Sequence, residues 1–198
     1  MIAREQERPD VKARRDAWHE QFQEIDPGTI VCLDESGART DMTRTRGRAP
    51  KGVRVVEKVP AGHWTTTTML AAVRTSGPLA GATVSGATDT DVFLTWIEHA
   101  LVPALRPGET VVLDNLPPHK SPRVAELIES AGCRLLYLPP YSPDFNPIEN
   151  MWSKVKTHLR AAAARTYEAL QQAFTDALHA VTPSDCQGFF RHCGYNAT

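Results

Sequence analysis

No run of apolar residues in this chain approaches the roughly 18–20 that a helix needs to cross a bilayer. A membrane span is therefore not expected. The first ten residues, Met-Ile-Ala-Arg-Glu-Gln-Glu-Arg-Pro-Asp, lack the apolar core of a secretory signal. Cys32, Cys133, Cys186 and Cys193 contain no Cys-x-x-Cys pair. That removes the usual zinc spacing and leaves reduced thiols as the expectation, even with His192 beside Cys193. These absences point to a cytoplasmic protein. A dominant charge is missing too: 22 Lys and Arg face 23 Asp and Glu, for a net charge of −1. Global charge thus gives no long-range attraction to a polyanion. There is no internal repeat and no low-complexity segment.

What remains is the composition of an ordinary globular protein, 41% hydrophobic and 23% charged over 198 residues, enough for one domain with a proper core. Locally the charge is uneven. From position 39 to 58 there are seven cations (Arg39, Arg44, Arg46, Arg48, Lys51, Arg54 and Lys58) against Asp41 and Glu57. Such an excess can meet phosphates, or simply form a solvated loop. Gly47, Pro50, Gly52 and Pro60 break this stretch, so a loop or irregular ribbon is expected.

Periodicity supplies the elements around it. Residues 10–25 read as an amphipathic helix ended by Pro27-Gly28. Residues 29–34 read as a short strand buried on both faces, finishing in Asp34. Residues 64–73 and 79–85 suit a hairpin turned at Ser76-Gly77-Pro78, and 89–105 suit a helix. Residues 110–114 repeat the earlier device, an apolar strand ending in Asp114. A helix then runs from Ser121-Pro122 to Gly132, with a last strand over 133–138 and another helix over 166–181. This order predicts an α/β fold with a mixed five-stranded sheet flanked by helices, antiparallel among its first three strands and extended by crossovers.

The most informative stretch is 138–160. Pro139, Pro140, Pro143 and Pro147 fall within nine residues and impose a stiff, extended approach. A helix follows, with Asn146 suited to the N-cap, Pro147 to the first position and Glu149 to the third. Ile148, Trp152, Val155 and Leu159 form its apolar stripe. Ser153, Lys156 and Arg160 lie within roughly 40° of Glu149 on another face. Glu149 either closes a capping box with Asn146 or is a carboxylate delivered to a site. If strand 110–114 lies parallel beside 30–34, Asp34 and Asp114 emerge at the same edge, within reach of Glu149. Crowded carboxylates raise one another's pKa, and a divalent cation relieves that repulsion. Hard oxygen ligands with open water positions suit magnesium, and a pair of such ions about 3.5–4 Å apart supports phosphodiester chemistry. Glu35 and Asp144 compete for the same roles, Asp144 also suiting a turn.

Three segments carry a family resemblance: Leu-Asp-Glu-Ser-Gly (33–37), Val-Leu-Asp-Asn (112–115) with His119-Lys120, and Leu-Pro-Pro-Tyr-Ser-Pro-Asp-Phe-Asn-Pro-Ile-Glu (138–149) with Trp152. Together they closely resemble the catalytic domain of mariner-superfamily transposases, and most nearly the bacterial insertion-sequence branch. Thirty-four residues separate Asp114 from Glu149, matching the Asp-Asp-Glu spacing of that superfamily. The Arg-Gly-Arg-Ala-Pro-Lys-Gly run (46–52) and Gly62-His63-Trp64 also look familial. The resemblance implies a ribonuclease H-like fold over 29–181, preceded by a linker helix over 1–28 and followed by a tail over 182–198. It implies a catalytic and metal-binding triad of Asp34, Asp114 and Glu149, with Mg2+ or Mn2+, two per site. It also implies cut-and-paste transposition, usually into TA dinucleotides, by a homodimer acting on transposon ends and target DNA. Arg46, Arg48, Lys51, His119, Lys120, Lys156 and Arg160 are the expected DNA contacts, with His119 equally suited to ordering the loop after Asp114. The family's helix-turn-helix region has no counterpart in this sequence and is expected to be separate or missing. A nuclease of the same fold without strand transfer, or a non-catalytic fragment regulating a full-length transposase, are the alternatives.

Overall fold

The computed structural model describes residues 4–23 and 25–197. A single mixed sheet organises them, in the order β3-β2-β1-β4-β5. Strands β1 (Ile30–Arg39), β2 (Thr66–Arg74) and β3 (Gly77–Ser85) form an antiparallel meander. Strands β4 (Thr110–Leu113) and β5 (Arg134–Tyr137) extend it in parallel on the other side of β1. Parallel neighbours need crossovers. These are made by α2 (Thr90–Trp96), which continues through a π turn (Ile97–Leu101), and by α3 (Pro122–Ser130).

Where both faces are covered the central strands are apolar, as in Ile30–Leu33 of β1, Met69–Val73 of β2 and Val111–Leu113 of β4. Side chains alternate across a strand, so Ile30 and Cys32 enter one core while Val31 and Leu33 enter the other. The second core is closed by α2 and α3 through Phe93, Trp96, Val124 and Ile128. The first is closed by α1 (Pro9–Gln23), α4 (Pro147–Ala162), α5 (Tyr167–His179) and α6 (Pro183–His192). In α4, Ile148, Met151, Trp152, Val155 and Leu159 are all buried. At roughly 1.5–3 kcal/mol for each large apolar side chain, that stripe fixes the roll of the helix and leaves Glu149 on its flank, about 100° from the centre of the stripe.

One expectation is corrected: the strand ending in Asp34 runs on to Arg39, because β2 keeps pairing with it along Cys32↔Val73 to Arg39↔Thr66 after β4 has left at Cys32↔Val112. Within the expected tail over 182–198, α6 carries a complete capping box between Thr182 and Asp185, and Phe190, Tyr195 and Ala197 are buried in the first core. Thr198 lies outside the described residues. The expected N-terminal linker helix packs on that core through Trp18 and Phe22, so it is part of the domain. Of the range 1–28, residues 1–3 and 24 lie outside the described residues. The basic stretch is the expected irregular arm, exposed from 44 to 66. Among the described residues no helix is long and apolar enough to cross a membrane.

Candidate active site

Where β4 stops, Asp114 follows directly. Asp34 lies two residues beyond the last β1–β4 pair, Cys32↔Val112. The two carboxylates therefore leave neighbouring strands at one edge of the sheet. After β5 the chain is held to that edge by Leu138, whose N–H donates to the Leu113 carbonyl at 2.8 Å. It then runs through the proline-rich lead-in to the first turn of α4. Asp34, Asp114 and Glu149 consequently line one cavity of about 410 Å³, walled on one side by residues 138–143 of the lead-in.

The electrostatics follow from the crowding. Burial, with added repulsion from Glu149 and Asp114, raises Asp34 to about 7 against the pull of hydrogen bonds from the Glu35 backbone and Trp152. The Trp152 indole N–H donates to Asp34 Oδ2 at 3.3 Å. Glu149 is also raised, first by loss of solvent against the cavity wall and then by Asp114, with Lys156 opposing. Asp114 is oriented from behind: its Oδ1 accepts from the Leu116 N–H at 3.2 Å and bonds His119 Nδ1. His119 Nε2 lies 3.8 Å from Glu35, and the ring stacks on Phe93 at 4.5 Å. Burial lowers the His119 pKa, but its bonds to Asp114 and Glu35 and the charges of both outweigh that and raise it to about 9. A raised folded pKa means that this imidazolium stabilises the fold below its unfolded value near 6.5, an effect lost as pH climbs through 9.

The sequence left two readings open for each of two residues. His119 is 3% exposed and bonds Asp114, which favours its role in ordering the loop after Asp114. Glu149 closes no capping box: the Asn146 side chain makes no cap bond to the helix, and its buried Oδ1 has no partner among the described residues. Asp144, placed by sequence in a turn, does sit in one (Pro143–Phe145) and is also the partner of Arg15. Burial raises its pKa, but hydrogen bonds and charge from Arg15 more than offset this and lower it. The lead-in carries strain: Tyr141 has φ 57°, in the left-handed region, which costs a non-glycine residue roughly 1–2 kcal/mol.

The cations expected at DNA divide into groups. Lys156 and Arg160 line a neighbouring groove of about 470 Å³ beside Gly37 and Arg39 of β1. Arg46, Arg48 and Lys51 are exposed on the arm, and Lys120 is exposed after His119. The apolar stripe of α4 marks Trp152 as core and nothing more. Its bond to Asp34 could be suspected only from its place three residues after Glu149, one helical turn along.

Among the described residues, no three His, Cys, Asp or Glu side chains converge into a ready-made ion cage. The donor chemistry nevertheless fits a divalent cation. The candidate ligands are hard carboxylate oxygens, burial and neighbouring carboxylate charge raise the pKa of Asp34 and of Glu149, and all three open onto a cavity where water can complete a shell. This suits magnesium, which keeps several waters and takes few protein ligands.

Comparison with known proteins bears on the family and the fold. A family model described as DDE superfamily endonuclease matches residues 29–171. The Tcb2 transposable-element transposase of Caenorhabditis briggsae is 31% identical over 85 residues, covering 37% of this chain and 31% of that protein. The crystal structure of the catalytic domain of Mos1 mariner transposase superposes with a TM-score of 0.66 at 15% identity, over 98% of this chain and 90% of that one. The mariner Mos1 paired-end complex with Mg gives a TM-score of 0.71 at 15% identity, over 98% and 61%. The chain thus spans under a third of the curated relative and about three fifths of the Mos1 chain in that complex. The two structural matches establish the fold as ribonuclease H-like.

Proposed function

The chain belongs to the DDE superfamily of endonucleases, and from that premise we propose that it is the catalytic domain of a mariner-like DNA transposase that cuts transposon ends and joins them to target DNA. One observation carries the reading. Three carboxylates from three separate elements line one cavity, and the burial and charge that raise Asp34 are what a bound cation would relieve.

Asp34, Asp114 and Glu149 would hold Mg2+ or Mn2+, two ions per site. Such ions activate an attacking oxygen and stabilise the leaving one, so no serine or tyrosine nucleophile is needed. The chain's own residues prepare the site. Trp152 restrains Asp34 and His119 restrains Asp114, each through a hydrogen bond. Lys156 and Arg160 extend the same helix face away from Glu149, where they can take successive phosphates; Arg46, Arg48, Lys51 and Lys120 add exposed positive charge. Transposon-end and target DNA, a TA target, a homodimer and a separate helix-turn-helix region belong to this reading through the family resemblance. Support from the relatives consists of a nematode transposase and a mariner paired-end complex with Mg. Placement in the bacterial insertion-sequence branch, with action at the nucleoid, rests on the sequence motifs alone.

The test is incubation of the chain with end-containing and unrelated duplexes in Mg2+ or Mn2+. Cleavage followed by joining of the new 3′ end is the expected result. Cleavage without joining would reduce the reading to a nuclease of the same fold. No cleavage of any duplex, pre-nicked ones included, would leave a regulatory fragment.

A further inference from the structure

Resting on the reading of Glu149 as a metal ligand, we propose that Arg15 is a positioning residue for the active site. It sets the first turn of α4 by clamping the lead-in through Asp144. The first turn of α4 lacks a side-chain cap: Asn146 is 2% exposed, makes no cap bond, and its Oδ1 has no partner among the described residues. The buried stripe fixes the roll of α4, but with no cap the entry of the chain into its first turn, where Glu149 sits, needs another restraint. Arg15 does so with a bidentate grip, Nη1 to Asp144 Oδ1 at 3.0 Å and Nη2 to Asp144 Oδ2 at 2.6 Å, and Nη1 also donates to Ser142 Oγ at 2.7 Å. Its guanidinium lies 4.2 Å from the centroid of the buried Phe145 ring. The arginine is only 16% exposed while Asp144 is 49% exposed, so the grip is buried on the arginine side alone, where the fork of the guanidinium fixes its direction.

The neighbouring contacts point the same way. Gln6 Nε2 donates to the carbonyl of the strained Tyr141 at 2.6 Å, and Tyr195 Oη donates to the Phe145 carbonyl at 2.7 Å. A non-glycine residue in the left-handed region persists only where its surroundings over-determine it, and here donors from both ends of the chain do so. The lead-in walls the carboxylate cavity on its other side. Releasing Asp144 therefore loosens both the wall and the carboxylate that follows it. Arg15 touches no reacting group and acts only through this clamp.

The experiment is an EPR titration of the full chain with Mn2+, reading the midpoint of ion uptake, together with amide exchange of the lead-in in metal-free protein. Arg15→Ala and Asp144→Asn should each raise the midpoint about 10–100-fold, the usual effect of an outer partner of a metal ligand. The double variant should be no worse than either single one, since both break one clamp. The Phe145 and Asn146 amides, bonded to Ser142 and Pro143 carbonyls, should exchange faster. Arg15→Lys should fall between wild type and Arg15→Ala, and serves in its place if Arg15→Ala does not fold. Lys154→Met, which removes the ion pair to Asp185 from the same helix, should leave the midpoint unchanged. A wild-type midpoint in Arg15→Ala, or additive effects in the double variant, would overturn the proposal while leaving the functional reading intact, provided Asp114→Asn abolishes uptake. A wild-type chain that takes up no Mn2+ would overturn both.

Discussion

Two irregular segments of this molecule are alike in their proline punctuation and opposite in treatment. The arm from 43 to 65 and the lead-in from 138 to 146 are both broken by proline, the arm by glycine as well, and neither forms a strand or an α-helix. Every residue of the arm from 44 onward is exposed, and its base is closed by bonds between Thr40 and Thr65 at 3.0–3.1 Å. In the lead-in, Leu138, Ser142, Phe145 and Asn146 are buried, and side chains from positions 6, 15 and 195 bond to it. Irregular backbone is therefore not loose by default. It is held where a carboxylate depends on it and left in solvent where cations can reach out to a polyanion.

The largest effects should come from the carboxylates around the lead-in. Asp34→Asn, Asp114→Asn or Glu149→Gln should each lower Mg2+-dependent cleavage by roughly a thousandfold or more, beyond the 10–100-fold typical of outer partners, with unchanged circular dichroism. Loss of cleavage in Asp144→Asn combined with full activity in Glu149→Gln would move the third ligand and break the comparison at its centre.

Next is packing. Phe145→Ala should cost about 3–5 kcal/mol in denaturant unfolding, as for other buried aromatics, whereas Val56→Ala on the arm should stay within about 0.5 kcal/mol. Equal costs would mean that the arm is docked in solution as firmly as the lead-in.

A smaller effect sharpens the electrostatic side. Asp34 holds its proton in the fold up to about 7, while the unfolded chain releases it near 3.9. The metal-free native state thus carries a penalty that is absent below about 4, grows as pH rises and is complete above 7. Asp34→Asn removes it, so the variant that loses cleavage should melt higher than wild type at pH 8, with the gap closing towards pH 4. A gap that widens on acidification would reverse the assigned sign.

The smallest effects belong to the arm. Arg46→Ala, Arg48→Ala and Lys51→Ala should leave the melting temperature unchanged. Each should weaken duplex binding and flatten its salt dependence by about 0.9 in log–log slope for each phosphate that is no longer neutralised. No change in slope for any of the three would remove the arm from the DNA interface.

Much of this was legible in the sequence, for identifiable reasons. Alternating or continuous apolar patterns report burial directly, so the existence and order of the five strands and most of the α4 stripe could be read, though not the far end of β1 or Met151. Proline punctuation located both irregular segments, and the repeat of an apolar strand ending in aspartate, with Glu149 following Asp114 at the superfamily's spacing, singled out the three carboxylates. Tertiary structure decided what depends on partners distant in the chain. Asp34 sits within a strand because β2 continues past it, and Cys186, Phe190, Tyr195 and Ala197 are core because α6 packs on α4 and Tyr195 meets Phe22 of α1. His119 turned inward onto Asp114, and Arg15 reached Asp144 across 129 positions. Local pattern records what each residue needs, burial or solvent, a turn or a helix. Which distant group supplies a hydrogen bond or a countercharge is settled only when the chain has closed and brought both ends to the same edge of the sheet.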